Sequence, residues 1–147
     1  MQNEATSIDI ASPATTVFAY VADFTNDPEW RSEVSDSRRA GGSLDEVGAT
    51  YEQTLDVAGR EIHTTFAVTE LVPPHVVSFE GGSGPVDVGG SIVLTPVADD
   101  ETRLTFQHHM SGPWWFRVLA PWLARRRSRG IDRDLEQLKR HLESATA

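Results

Sequence analysis

The stretch Ser7-Ile8-Asp9-Ile10-Ala11-Ser12-Pro13, followed by Val17-Phe18, Val21-Ala22-Asp23 and Pro28-Glu29-Trp30, decides how the chain folds. Ile8 and Ile10 share one face of an extended segment and Asp9 the other, so residues 7–11 read as a half-buried strand. Ser12 and Pro13 then read as N-cap and first helical position, because proline lacks the N–H that this position would leave unbonded. Val17, Phe18 and Val21 form an apolar stripe, which predicts a short amphipathic helix from Pro13 to about Ala22. Asn26-Asp27 before Pro28, with Glu29 in the first turn, is a second start signal. A helix of one or two turns there would carry Trp30.

From Val34 to Met110 the pattern changes to strands and turns. Tyr51, Leu55 and Val57 alternate with Glu52, Thr54 and Asp56, and Ala58-Gly59-Arg60 turns the chain into Ile62–Leu71. Pro73-Pro74 ends that strand, Val76–Gly81 forms another, and Ser91–Val97 pairs with Thr102–Met110 across Ala98-Asp99-Asp100-Glu101. Gly81-Gly82-Ser83-Gly84-Pro85 reads as a flexible loop, either a lid over a cavity mouth or a plain turn. In the tail, Leu119, Leu123, Ile131, Leu135, Leu138 and Leu142 recur at helical spacing, with Pro121 as a kink or a start. The order is strand, two short helices, about six antiparallel strands and one long helix. A curved antiparallel sheet has one apolar face to cover, and a terminal helix covers it, so the fold class is an α+β roll.

The chain has 147 residues, consistent with one domain over 1–147, and 39% of them are apolar, enough for one core. It has no cysteine, which excludes disulfides and thiolate metal sites. A net charge of −9 argues against nucleic acid as a partner, since phosphate binding needs a basic field. Met1–Ile10 has neither a positive n-region nor an apolar h-region, and the apolar stretch around Trp114–Ala124 is broken by Arg117 and Pro121. These features lead us to expect a soluble, cytoplasmic protein.

Three motifs carry a resemblance. They are the opening just described, then Val68-Thr69-Glu70-Leu71-Val72-Pro73-Pro74, then Leu138-Lys139-Arg140-His141-Leu142-Glu143. In this order and spacing they resemble the START-like (SRPBCC) helix-grip superfamily, and within it the polyketide cyclase/dehydrase and lipid-transport group. The resemblance implies a sheet of about seven strands wrapped around the last helix, with two short helices after strand one and a ligand cavity between sheet and helix. It does not choose among carriers, aromatic cyclases, receptors and chaperone co-factors, because one fold hosts many chemistries.

In such a fold Trp30, Tyr51, Phe66, Phe79 and Phe106 fall on inward positions, where aromatic side chains either pack the core or line a cavity. Alternation with Leu104 and Phe106 turns His108 inward and His109 outward, so the adjacent pair cannot grip one metal ion. An inward His108 suits a hydrogen-bonded structural role, a ligand anchor or a proton shuttle. His63, Glu52 and Asp56 point outward, and Glu70 shares the parity of Phe66 near a strand end. No spacing forms a paired-carboxylate, nucleophile-elbow or phosphate-loop motif, and neither cofactor nor metal is expected. Arg125, Arg126, Arg127 and Arg129 read as a solvated helix face, but Arg127 falls in the apolar stripe, where it would meet an anionic head or a rim carboxylate. With Trp114, Trp115 and Trp122 beside it, that cluster also suits transient contact with an anionic membrane surface.

The expected function is binding of a small hydrophobic or aromatic ligand, as a carrier or sensor. The first alternative is a cyclase/dehydratase-like enzyme using His108 and Tyr51 for proton transfer. The second is a protein-interaction module of the same fold. Ligand identity, turnover and oligomeric state, a homodimer included, stay open at this level.

Overall fold

The structure, a computed structural model, describes residues 2–44, 46–57, 59–83, 86–114 and 130–144. Its elements are β1 (Gln2–Ile10), α1 (Ala14–Val21), a 3-10 helix (Phe24–Glu29), β2 (Val34–Gly41), β3 (Thr50–Val57), β4 (Arg60–Val72), β5 (Val76–Ser83), β6 (Val86–Ala98) and β7 (Glu101–Ser111). Residues 130–144 are helical. The seven strands form one antiparallel sheet in the order β1-β7-β6-β5-β4-β3-β2. From β2 onward each strand pairs with its sequence neighbour, and β1 joins the far edge beside β7. α1 and the 3-10 helix therefore carry the chain between opposite edges of the sheet.

The C-terminal helix is held by its apolar stripe and by a polar clamp. Ile131, Leu135, Leu138 and Leu142 are all buried, at 0–3% exposure, in one cluster with Ile10, Val17, Leu94, Leu104 and Phe106. At the edge of this stripe, Lys139 Nζ donates to the Asp9 carbonyl at 2.8 Å and to Glu143 Oε2 at 2.6 Å. The Ala11 N–H donates to the same Glu143 oxygen at 2.8 Å. Nearer the helix start, Asp134 Oδ1 accepts from the Ser32 N–H at 3.1 Å, tying the helix to the chain just after the 3-10 turn. Leu119 and Leu123, which extend the stripe in sequence, lie outside the described residues.

Several local expectations are corrected. Ser12 does not cap α1: Pro13 occupies the N-cap without a side-chain bond, and the Ser12 hydroxyl is buried without a partner among the described residues. Ser12 serves through its backbone instead, its carbonyl accepting from Thr102 Oγ1 at 2.8 Å and its N–H donating to the Ile10 carbonyl at 2.8 Å. The second helix starts at Phe24 rather than at Asn26-Asp27, because Asp23 Oδ1 accepts from the Thr25 N–H at 3.1 Å and caps it. Gly81, Gly82 and Ser83 are not a loop but the end of β5, facing Val88, Asp87 and Val86 of β6. A Cβ on Gly81 would lie 2.0 Å from the Thr65 carbonyl and 2.5 Å from Phe66 Cα, so glycine lets β4 and β5 meet there. Gly84 and Pro85 lie outside the described residues. Glu70 leaves the inward face because the β4–β5 register shifts between Val68 and Glu70, and such a bulge reverses the alternation beyond it. Glu70 is exposed and accepts from Ser78 Oγ at 2.9 Å.

Candidate functional site

Between the 3-10 helix, the inner face of the sheet and Ile131 lies a cavity of about 50 Å³. That is room for a few water molecules and far below the several hundred Å³ of a typical ligand pocket. Aromatic rings take up the rest of the space. Phe24 stands edge-on to Phe66 at 5.1 Å and to Phe79 at 5.4 Å, and Phe66 and Phe79 are 5.2 Å apart. These three rings form the apolar end of the cavity. Phe106 also lines the cavity, with Trp30 edge-on at 6.3 Å, His108 at 5.5 Å and the Arg31 guanidinium over its face at 5.6 Å.

Of the residues singled out from sequence, Trp30, Phe66, Phe79, Phe106 and His108 border this cavity together, and so does His109, which strand alternation alone turns away from it. Tyr51 is fully buried and stacks on Phe66 at 5.5 Å, in the layer behind the apolar end. Arg127 lies outside the described residues, as do Trp115, Trp122, Arg125, Arg126 and Arg129. His108 lies in the row of Phe79 and Gly90, whereas His109 lies in the row of Glu80 and Gly89. His109 Nε2 approaches Glu80 Oε2 at 3.3 Å. Gly89 carries no side chain, and a Cβ there would meet the Glu80 carboxylate at 2.3 Å, so the glycine makes room for this pair.

Sequence reasoning missed the polar floor of the cavity. Asp27, Arg31, Gln53 and Thr64 all border it and all are buried. Gln53 Nε2 donates to Asp27 Oδ2 at 2.7 Å and to Ser37 Oγ at 3.1 Å. Arg31 Nη1 lies 3.7 Å from Asp27 Oδ2, and Arg31 Nη2 lies 3.3 Å from Glu33 Oε1. Signals for Gln53 and Thr64 exist in the sequence: Gln53 shares the parity of Tyr51 and Leu55, and Thr64 that of Phe66. For Asp27 there is only the i,i+4 spacing to Arg31, which any surface turn can show.

Burial pushes the Asp27 carboxyl up to about 6, against the smaller downward pull of the Arg31 charge and the Gln53 hydrogen bond. Burial also raises Asp134, partly offset by its bond from Ser32, and raises the Tyr51 hydroxyl. Because Asp27 holds its proton more tightly folded than unfolded, its contribution to stability is full below its ordinary value of 3.8 and is lost as pH rises through about 6. That interval corresponds to roughly 3 kcal/mol at about 1.4 kcal/mol per pH unit. Asp27→Asn cannot titrate. Its stability relative to wild type, from urea unfolding, is therefore expected to improve by roughly 2–3 kcal/mol between pH 4 and pH 7.5. Parallel pH profiles for the two proteins would show that Asp27 is ionised without cost.

A curved seven-stranded antiparallel sheet gripping a C-terminal helix, with a cavity between them, defines the helix-grip class of START-like proteins. The sequence profile of the polyketide cyclase / dehydrase and lipid transport family matches residues 1–143, and the chain belongs to that family. Among solved structures the chain is similar to the Zhui aromatase/cyclase from Streptomyces sp. R1128, with 15% identity and a TM-score of 0.85 over 99% of this chain and 96% of that one. It is also similar to a START superfamily protein from Mycobacterium smegmatis, with 14% identity and a TM-score of 0.83 over 97% and 98% of the two chains. The di-domain ARO/CYC BexL from the BE-7585A biosynthetic pathway is matched over 99% of this chain but 48% of its own, with 19% identity and a TM-score of 0.79. No match was found among curated proteins. At these identities the structural likeness speaks for the fold.

Proposed function

We propose that this protein binds a small hydrophobic or aromatic ligand in the cavity between sheet and C-terminal helix, as a carrier or sensor. The observation that carries the reading is one cavity whose lining divides between aromatic rings, Phe24, Trp30, Phe66, Phe79 and Phe106, and a few buried polar groups, Asp27, Arg31, Gln53 and Thr64. Such a division suits a ligand that is mostly apolar and is oriented by one or two polar atoms. The small volume favours a compact ring compound, seated by rotation of the phenyl rings.

Apolar burial alone supports little affinity. Burying about 300 Å² gains roughly 7–8 kcal/mol, and association costs at least about 4 kcal/mol, leaving binding near millimolar. A polar anchor therefore matters, and His108 is the inward imidazole. His108→Phe keeps ring area but removes the ring nitrogens, and is expected to weaken binding by about 1–3 kcal/mol. His109→Phe, whose ring borders the cavity from the Glu80 row, is expected to cost clearly less than His108→Phe. Native mass spectrometry of freshly purified protein, followed by titration of both variants with the molecule it identifies, checks this. Equal losses from both substitutions would count against the assignment of the site to the His108 face.

A second reading, an enzyme of the cyclase/dehydratase kind, is favoured by one observation. A carboxyl in the cavity with its proton affinity pushed up to about 6, beside an arginine and near a histidine, is the material of general acid–base catalysis. Turnover of the co-purified molecule, lost in Asp27→Asn with binding retained, would select this reading over carriage.

A further inference from the structure

The polar end of the cavity is built but not satisfied. Asp27 Oδ1, Trp30 Nε1 and Arg31 Nε are each cut off from solvent and hydrogen-bonded to nothing among the described residues. All three residues border the cavity, and they are only 2%, 3% and 8% exposed. Their neighbouring atoms are engaged, since Asp27 Oδ2 accepts from Gln53 at 2.7 Å and Arg31 Nη2 reaches Glu33 at 3.3 Å. These bonds hold the side chains in place and leave over one acceptor and two donors. Native interiors seldom leave such atoms without partners, and where they do a ligand or a water is the usual explanation.

The charges restrict what can fill the gap. Arg31 already faces two carboxylates, Asp27 and Glu33, so an anionic head would enter against them. A cationic head would meet the Arg31 guanidinium instead. A carbonyl would use the donors but leave Asp27 Oδ1 bare. A hydroxyl carries one proton to give and two lone pairs to receive, which matches one acceptor and two donors. The adjoining surface is aromatic, with Phe106 under Arg31 and in edge contact with Trp30.

We propose that Asp27, Trp30 and Arg31 form a recognition site for a neutral hydroxyl group carried on an apolar ring. This rests on the reading of the cavity as a ligand site and adds what the ligand must carry. Asp27 takes the hydroxyl proton in a hydrogen bond, and Trp30 and Arg31 donate to its oxygen. A ring without the hydroxyl, or with it capped as a methyl ether, is selected against, because it leaves buried polar atoms unpaired.

The test is a pair of isosteric probes, 4-ethylphenol and 4-ethyltoluene, titrated into the full chain at pH 7.5 by protein-observed NMR, which also reports where each probe sits. Wild type is expected to bind 4-ethylphenol five- to tenfold more tightly. Hydrophobicity alone would favour 4-ethyltoluene, whose methyl group is close in size to the hydroxyl, so the direction is diagnostic. Asp27→Asn and Trp30→Phe are each expected to reduce the preference, read as the ratio of the two Kd values within each variant, to less than about threefold. Trp30→Phe keeps an aromatic ring in the core, and it carries the test alone if Asp27→Asn fails to fold. Equal or tighter binding of 4-ethyltoluene by wild type, with shifts at the cavity phenylalanines, would overturn the hydroxyl site and leave the cavity reading standing. A preference that survives Trp30→Phe and Asp27→Asn would also overturn it. Absence of binding by either probe would overturn both.

Discussion

Leu135→Ala is expected to lower the unfolding free energy by about 2–5 kcal/mol, among the largest losses available to a single truncation in this chain. Leu135 is 1% exposed and sits at the middle of the stripe formed by Ile131, Leu138 and Leu142. Removing it costs the transfer energy of the lost carbons and leaves a void, because the clamp of Lys139 and Glu143 on Asp9 and Ala11 hinders the helix from sinking to fill it. Urea unfolding at fixed pH measures the loss. Leu135→Asp is the sharper version, since it buries a charge in the apolar cluster that holds Leu104 and Phe106. A Leu135→Asp protein as stable as wild type would mean that the helix does not lie on the sheet.

Gly81→Ala is expected to cost about 3 kcal/mol or more, although it adds one methyl group. The added Cβ would sit 2.0 Å from the Thr65 carbonyl oxygen and 2.5 Å from Phe66 Cα, both backbone atoms of the paired strand β4. Backbone cannot rotate away as a side chain can, so β4 and β5 would have to separate beside Phe66, a wall of the cavity. Thermal unfolding gives the stability loss. The contrast with a glycine in open space is built into the chain: a Cβ on Gly130 would have nothing within 4 Å among the described residues, so Gly130→Ala should be far milder. A harmless Gly81→Ala would restore the view of residues 81–85 as a free loop.

The difference between what the sequence shows and what it hides is physical. Alternation needs side chains to alternate. Tyr51, Phe66, Phe79 and Phe106 are legible as inward because their polar neighbours mark the other face, but Gly81 and Gly82 carry no such mark and read as loop. Glu70 falls on the wrong face in a simple count because a bulge between Val68 and Glu70 resets it, and nothing local announces the bulge. The helical stripe from Ile131 to Leu142 is plain, since one repeat serves one buried face. Asp27 is hidden for another reason. Its burial depends on Gln53, 26 residues along on β3, and on Arg31, so the partners that make a buried carboxyl tolerable meet only after folding. Family-level resemblance brings the fold into view early, but the polar end of the cavity is a property of this chain's own residues.

The central claim, that the interior between sheet and helix takes a small apolar ring compound, is tested most directly by titrating the protein with ethylbenzene and following aromatic and backbone NMR shifts. Shifts centred on Phe24, Trp30, Phe66, Phe79 and Phe106 that grow along one common binding curve, with the exposed His63 and Val97 unmoved, are the predicted result. Shifts confined to the exposed side, or none up to the solubility limit of the probe, would contradict it.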